Sequence, residues 1–296
     1  MEKKYDLHDF AIKKKKSEKN VIIGIVLAAI AGLNYLAFYS SQTSIFVILT
    51  FVFGLPGLIF LAIGFSEFTK MKKEFKDKVL RNMFKELIPD VIYEPYRGLS
   101  EHEAYASEFL RRADRYHSED YIAGKVGDVD FVSSDVKLEE RRVERTKNGT
   151  RVYYVPYFVG RVFRFKFNKD FVGSLQVLES GSPLSRRKFE RVKLESIDFN
   201  KKFRIFAEED LTAFYILTPD IMEAIFLLEK RHPGNISMSF LGDYLYVAIN
   251  NNKDTFELQL FKKLDESVIK EFEKDLLVIK DFIVSLKLNN KLFKKD

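Results

Sequence analysis

The sequence contains no cysteine and no tryptophan, and it has only four histidines in 296 residues. Without cysteine there can be no disulfide framework and no thiolate metal site, which agrees with a reducing, cytoplasmic setting for the bulk of the chain. No phosphate loop, G-x-S-x-G elbow or H-E-x-x-H helix occurs, so the usual signatures of nucleotide, acyl-transfer and zinc-protease chemistry are missing. A third absence is local: residues 21–65 carry no charge at all.

What is present around that gap is lysine. Residues 1–20 hold seven Lys against four Asp/Glu, and residues 66–81 hold six basic against three acidic residues. Subtraction leaves 36 basic and 36 acidic residues in 82–296, so the whole net charge of +6 flanks the uncharged stretch. A basic chain ordinarily raises nucleic acid as a partner, but this distribution is a membrane signature and excludes that reading.

The gap divides into two apolar runs, Val21 to Tyr39 and Ile45 to Phe65, joined by the polar loop Ser40 to Ser44. As helices they would span about 28 to 32 Å, the thickness of a hydrocarbon core. Lys13 to Lys16 and Lys19 precede the first span, and Lys70, Lys72, Lys73, Lys76 and Lys78 follow the second. Positive flanks stay inside, so the expectation is a two-span hairpin with both termini cytoplasmic. Tyr35, Phe38 and Tyr39 fall where an outer aromatic belt would form. A signal peptide ending at Ala29-Ile30-Ala31 is the rival reading; against it, the apolar run continues past that box and a second span follows at once.

Within the hairpin, Gly24, Ala28 and Gly32 repeat at the four-residue spacing that lets helix backbones approach closely, against the other span or a second subunit. Asn34 and Thr50 lie at similar depth, and a hydrogen bond between them would satisfy the amide in hydrocarbon. Gly54, Pro56 and Gly57 predict a kink in the second span. No ionisable group lies inside either span, which argues against a pore or carrier.

Past Phe65, apolar residues from Phe68 to Leu87 recur every three to four positions, so the second span should continue as an amphipathic stalk to Ile88-Pro89. Ser100-x-x-Glu103 is a capping box opening a helix with Tyr105, Phe109 and Leu110 on its apolar side. From Asp120 the period becomes two. Strands are expected at Tyr121–Val126, Val129–Val132, Val136–Val143, Val152–Phe158, Arg161–Phe167, Leu175–Leu178, Phe203–Phe206, Ala213–Leu217, Ile236–Phe240, Tyr244–Ile249 and Phe256–Leu260. Asn148-Gly149 reads as a hairpin turn. In Arg161–Phe167 the phenylalanines alternate with Arg164 and Lys166, describing a sheet with one wet face. Helices should start at Thr218-Pro219-Asp220 and after Asp265. The fold class is therefore α+β: a basic tail (1–20), a transmembrane helical hairpin (21–65), a stalk helix (66–89) and a cytoplasmic domain (90–296) built on a mainly antiparallel sheet with a few packed helices.

Several ordered segments resemble one family. Tyr157 to Phe163, Leu194 to Phe199, Phe203 to Phe206, Tyr215 to Met222, Phe240 to Ile249 and Phe256-Glu257 are similar to the bacterial domain-of-unknown-function family number 3137. The resemblance implies a bacterial membrane protein with two N-terminal spans and a cytoplasmic domain, often encoded beside LemA-type membrane proteins, which makes such a protein a candidate partner. It departs at Phe214, where a basic residue is expected before Tyr215. The family assigns no catalytic residue, so none is carried over.

The residues themselves offer one charge cluster inside the neutral domain: Arg186, Arg187, Lys188, Arg191 and Lys193. Beside a bilayer each such cation contributes about 1 kcal/mol toward anionic lipid. The carboxylates Glu119, Asp120, Asp128, Asp130 and Asp135 are the residues from which an oxygen-ligand site could be built, but they lack the ordered spacing of a calcium loop and read as solvated strand edges and turns. If one helix joined His102 and His117, they would stand about 22 Å apart. No catalytic residue, metal or cofactor is expected. The function expected is a membrane-anchored binding or scaffold module that engages a protein partner or lipid headgroups, with homo-oligomerisation through the glycine row as an option. The alternative is a membrane-surface hydrolase or transferase using those dispersed carboxylates and a histidine.

Overall fold

The charge-free stretch folds as a pair of long helices. In the computed structural model, which describes residues 7–147, 149–166, 173–180 and 189–288, α1 spans His8–Ser41 and α2 spans Ile45–Phe75. The lysine-rich tail is thus helical from His8 onward. α2 runs through Pro56 as one helix and is followed by a π-helical turn, Lys76–Leu80, and by α3 (Arg81–Leu87). Both long helices are apolar enough to cross a membrane. The chain divides into two compact units: Met1–Asn82 with Glu257–Glu271, and Met83–Phe256 with Phe272–Asp296.

In the first unit, the charged ends of the hairpin are tied together. Lys13 reaches Glu74 at 2.8 Å, Lys16 reaches Glu67 at 2.9 Å, and Asn20 donates to Glu67 at 3.0 Å. Hydrogen bonds from Lys13 and Lys78 hold the Glu74 carboxyl down at about 2. Phe10 meets Phe75 edge-on below these pairs. The segment 257–271 joins this unit through Glu257, which accepts from both Lys72 and Lys76 at 2.6 Å, and through the Phe261 N–H, which donates to Glu18. Burial works against charge on Glu257, yet Lys76 and Lys72 keep its carboxyl below the usual range.

The second unit is a sheet. Its strands are β1 (Ile92–Glu94), β2 (Arg115–Val126), β3 (Val129–Thr146), β4 (Gly149–Lys166), β5 (Ser174–Glu179), β6 (Glu190–Val192), β7 (Phe203–Ala207), β8 (Asn235–Leu241) and β9 (Tyr244–Asn250). All neighbours are antiparallel, in the order β1-β2-β3-β4-β9-β8-β5-β7-β6. The helices are α4 (Glu101–Tyr105), α5 (Ile197–Lys202), α6 (Asp210–Ile216), α7 (Pro219–Arg231) and α8 (Glu266–Ser285). One face of the sheet presents Phe163 and Phe165 to Phe282 of α8. The other presents Phe158, Val162 and Ala248 to Leu99, Ala104, Phe109 and Leu110.

That second layer corrects the expectation of a wet face: the segment after the Ser100 capping box, which forms as expected, lies over the sheet. The helix it opens ends at Tyr105, and Glu108 takes φ +62°, so Phe109 and Leu110 reach the core from irregular chain. Three further expectations change. The separate strands Val129–Val132 and Val136–Val143 are one 18-residue strand, paired with an equally long β4. Thr146 pairs with Gly149 at the tip; Asn148 and Phe167 lie outside the described residues. Ala213–Leu217 is not a strand but belongs to α6, because Thr212, Ala213 and Ile216 are buried while Leu211, Phe214 and Tyr215 face out, a helical spacing. Phe256–Leu260 joins no strand: it is irregular chain with turns at Phe256 and Leu260.

Candidate functional site

The hairpin interface uses part of the glycine row. A Cβ on Gly24 would stand 2.7 Å from Leu61 Cγ and 2.8 Å from Leu61 N, and one on Gly57 would stand 3.1 Å from Ala28 N. Gly64 is as tightly placed, against Val21 and the Ser17 carbonyl. Gly32 has no neighbour within 4 Å of such a Cβ. Steps of four residues drift about 40° around an α-helix, so Gly32 has turned off the contact line. The Asn34–Thr50 hydrogen bond does not form: Asn34 donates to the Ile30 carbonyl at 2.8 Å, and Thr50 donates to Phe46 O at 2.8 Å and Ala31 O at 3.4 Å. Each side chain meets its need on a backbone carbonyl one turn earlier.

Of the expected basic site, Arg191 lies on the edge strand β6 and Lys193 just after it, both exposed and without an ion pair to any described residue. Arg186, Arg187 and Lys188 lie outside the described residues. The histidines do not converge. His102 is on α4 and His117 on β2, where it lies 3.6 Å from Glu119. His232 is buried with Nε2 3.1 Å from Asp281; burial lowers its pKa and Asp281 works the other way.

The chemistry that strand alternation concealed is a buried charge network. Arg161 shares parity with Phe163 and Phe165 and so points into the core, where its guanidinium lies 4.4 Å from the centre of the Phe256 ring. Opposite it on β3 is Asp135, with Oδ1 3.7 Å from Arg161 Nε. Asp135 also accepts from the Thr255 N–H at 2.7 Å and from its hydroxyl at 3.0 Å. Asp120, held at φ +54° in the bulge of β2, accepts from Tyr93 at 2.5 Å and offers its carbonyl to Arg161 at 3.5 Å. Burial pushes the Asp135 carboxyl up to about 7 in spite of Arg161, while burial and Asp120 push the Tyr93 hydroxyl far up.

Carboxylate oxygens of Asp120, Asp135 and Asp254 lie within 4.8 Å of one another, a spacing a metal ion could use. The guanidinium of Arg161 supplies one fixed positive charge there, against Asp135 and the Asp120 carbonyl. Sequence parity marks Arg161 as inward-facing. Asp120 and Asp135 both belong to the carboxylate group read from the sequence, and the structure brings these two together; nothing in the linear pattern adds Asp254 or Thr255, which come from a separate segment.

Two apolar helices long enough to cross a membrane, together with an antiparallel α+β unit, define a membrane-protein class. Residues 157–288 match the family described as protein of unknown function (DUF3137), the family that the sequence resembles. No curated protein matches the chain. Among solved structures it is similar to the mycobacterial trehalose monomycolate transport factor A, TtfA, at 8% identity with a TM-score of 0.37, over 70% of this chain and 96% of that one. That score is too low to transfer a fold or a role.

Proposed function

We propose that the chain is a membrane-anchored binding module, with its hairpin in a bacterial cytoplasmic membrane, both termini cytoplasmic, and the α+β unit engaging a protein partner or anionic headgroups. One observation carries the anchor. Leu33, Leu36, Leu55 and Leu58 are each more than half exposed on a helix pair whose inner sides already pack together. Bilayer hydrocarbon covers such a surface; water does not. The lysines at both hairpin ends support the orientation.

The exposed Arg191 and Lys193, with Arg186, Arg187 and Lys188 preceding them in sequence, are the headgroup-binding candidates. A LemA-type membrane protein is the partner that the family resemblance suggests. The test uses the full chain in nanodiscs of neutral lipid, presented with anionic or neutral vesicles. Anionic vesicles should bind more tightly, and reversal of all five cations to glutamate should remove the preference. Equal binding by the reversed and native chains refutes the headgroup site.

A further inference from the structure

Among the described residues, no strand flanks the distal half of the β3–β4 hairpin. β2 pairs with β3 only as far as Arg115–Glu139, and β9 pairs with β4 only from Gly160 onward. Residues 140–146 and 149–155 therefore form a two-stranded arm, about 23 Å long at 3.3 Å per residue. A lone two-stranded ribbon is marginally stable in water, and its unpaired edges are templates for another strand. The β4 edge is blunted by the exposed Pro156, which has no N–H. The β3 edge is capped as far as Arg141 by Asp114, and beyond it no described residue covers the edge.

Asp114 shows which groups point outward along that edge. Its N–H donates to Glu139 O at 3.0 Å, and its carboxylate accepts from the Arg141 N–H at 2.7 Å. In an antiparallel ladder the outward N–H and C=O groups fall on alternate residues. Beyond Asp114 the outward residues are therefore Val143 and Arg145, and among the described residues no strand is placed against them.

The side chains of this row share one face, with Val143 directly opposite Val152, 45% and 44% exposed, and Arg145 opposite Thr150. Arg141 and Arg145 make no ion pair with a described residue. The acid in the same row, Glu139, is held by Lys137 at 2.8 Å. On the opposite face the charges compensate, since Arg142 pairs with Glu140 and Glu144 stands opposite Arg151. The arm thus offers an open edge beside a cationic and apolar face.

We propose that the β3 edge of this arm, from Arg141 to Arg145, is a docking site for an extended acidic segment of a partner protein. The segment adds as a strand, with acidic side chains beside Arg141 and Arg145 and an apolar one beside Val143. A second copy of this chain does not fit. Antiparallel pairing about a twofold axis at Val143 sets Arg141 against Arg145; an axis at Arg142 sets Arg142 against itself, and one at Glu144 sets Glu144 against itself. Like charges opposite one another destabilise a sheet. This surface is separate from the Arg186–Lys193 cluster and stands or falls apart from it.

The test uses the full chain in neutral-lipid nanodiscs and a fluorescent peptide with Glu, Val and Glu at alternate positions, separated by Thr. Anisotropy should show binding that weakens at least tenfold for the R141E/R145E variant, whose melting temperature checks that the exposed reversal leaves the fold intact. The same peptide, N-methylated at alternate residues on its pairing edge, keeps its charge and should lose binding as strongly. Equal binding of the methylated peptide, equal binding by R141E/R145E, or a preference of this arm for anionic vesicles with no peptide binding would each overturn the proposal.

Discussion

Arg161 and Asp135 stand directly opposite each other on neighbouring strands, both buried, with the guanidinium Nε 3.7 Å from the carboxylate. Asp135 in turn fixes Thr255, two residues before the chain passes from the sheet unit into the helical unit at Glu257. The pair therefore organises the core of the sheet unit at its point of exit.

Removing the cation should expose the cost of the carboxylates around it. Arg161→Met keeps much of the apolar contact with Phe256 but leaves Asp135 without its counter-charge, and breaking a buried pair costs about 3–5 kcal/mol. Adding Asp135→Asn should recover a large part of that loss. Denaturant unfolding of the single and double variants measures both, and a loss under about 1 kcal/mol for Arg161→Met contradicts the network.

The pH dependence of Asp135 has a definite sign. Its folded pKa, raised by burial to about 7, lies above the ordinary aspartate value of 3.8. The folded state therefore holds the extra proton between those values, and this residue's contribution to stability falls as pH rises through that window. Asp135→Asn removes the effect while keeping an acceptor for Thr255. The difference in melting temperature between variant and parent should shift in the variant's favour from about pH 4 to about pH 7; a constant difference contradicts the assignment.

Helix packing separates two glycines of the same motif. Gly24→Leu forces a side chain into Leu61 and the Gly57 carbonyl and should destabilise the hairpin by about 1–3 kcal/mol. Gly32→Leu meets open space and should leave the melting temperature in detergent unchanged. Equal effects at the two sites would contradict this packing.

The Glu257 contact should hold its segment in place. Glu257→Gln weakens two charge-assisted bonds, each worth about 1.5–3 kcal/mol, to Lys72 and the buried Lys76. Faster limited proteolysis within residues 257–271 is the expected result. An unchanged cleavage rate shows that the pair does not retain the segment.

The two long apolar helices, the capping box at Ser100, the proline start of α7 and the β8–β9 hairpin were legible because each rests on local chemistry: an uncharged run, a Ser-x-x-Glu spacing, a Pro at the first helical position, and Gly242 at φ +59° in a turn. Positions that depend on a second element were not. Gly24 and Gly32 look alike until the phase of α1 against α2 is known. The apolar run around Phe214 fits strand or helix equally well, and tertiary packing makes it helical. Arg161 could have been placed by parity with Phe163, but its carboxylate partner comes from across the sheet. The open edge at Val143 appears only once β2 is seen to end at Arg115.

Topology tests the central claim, a membrane anchor with the α+β unit on the cytoplasmic side, most directly. Protease added to sealed, right-side-out cells should leave residues 70–296 intact, with cleavage of that region appearing only after permeabilisation. Digestion of the α+β unit from outside intact cells would contradict the account.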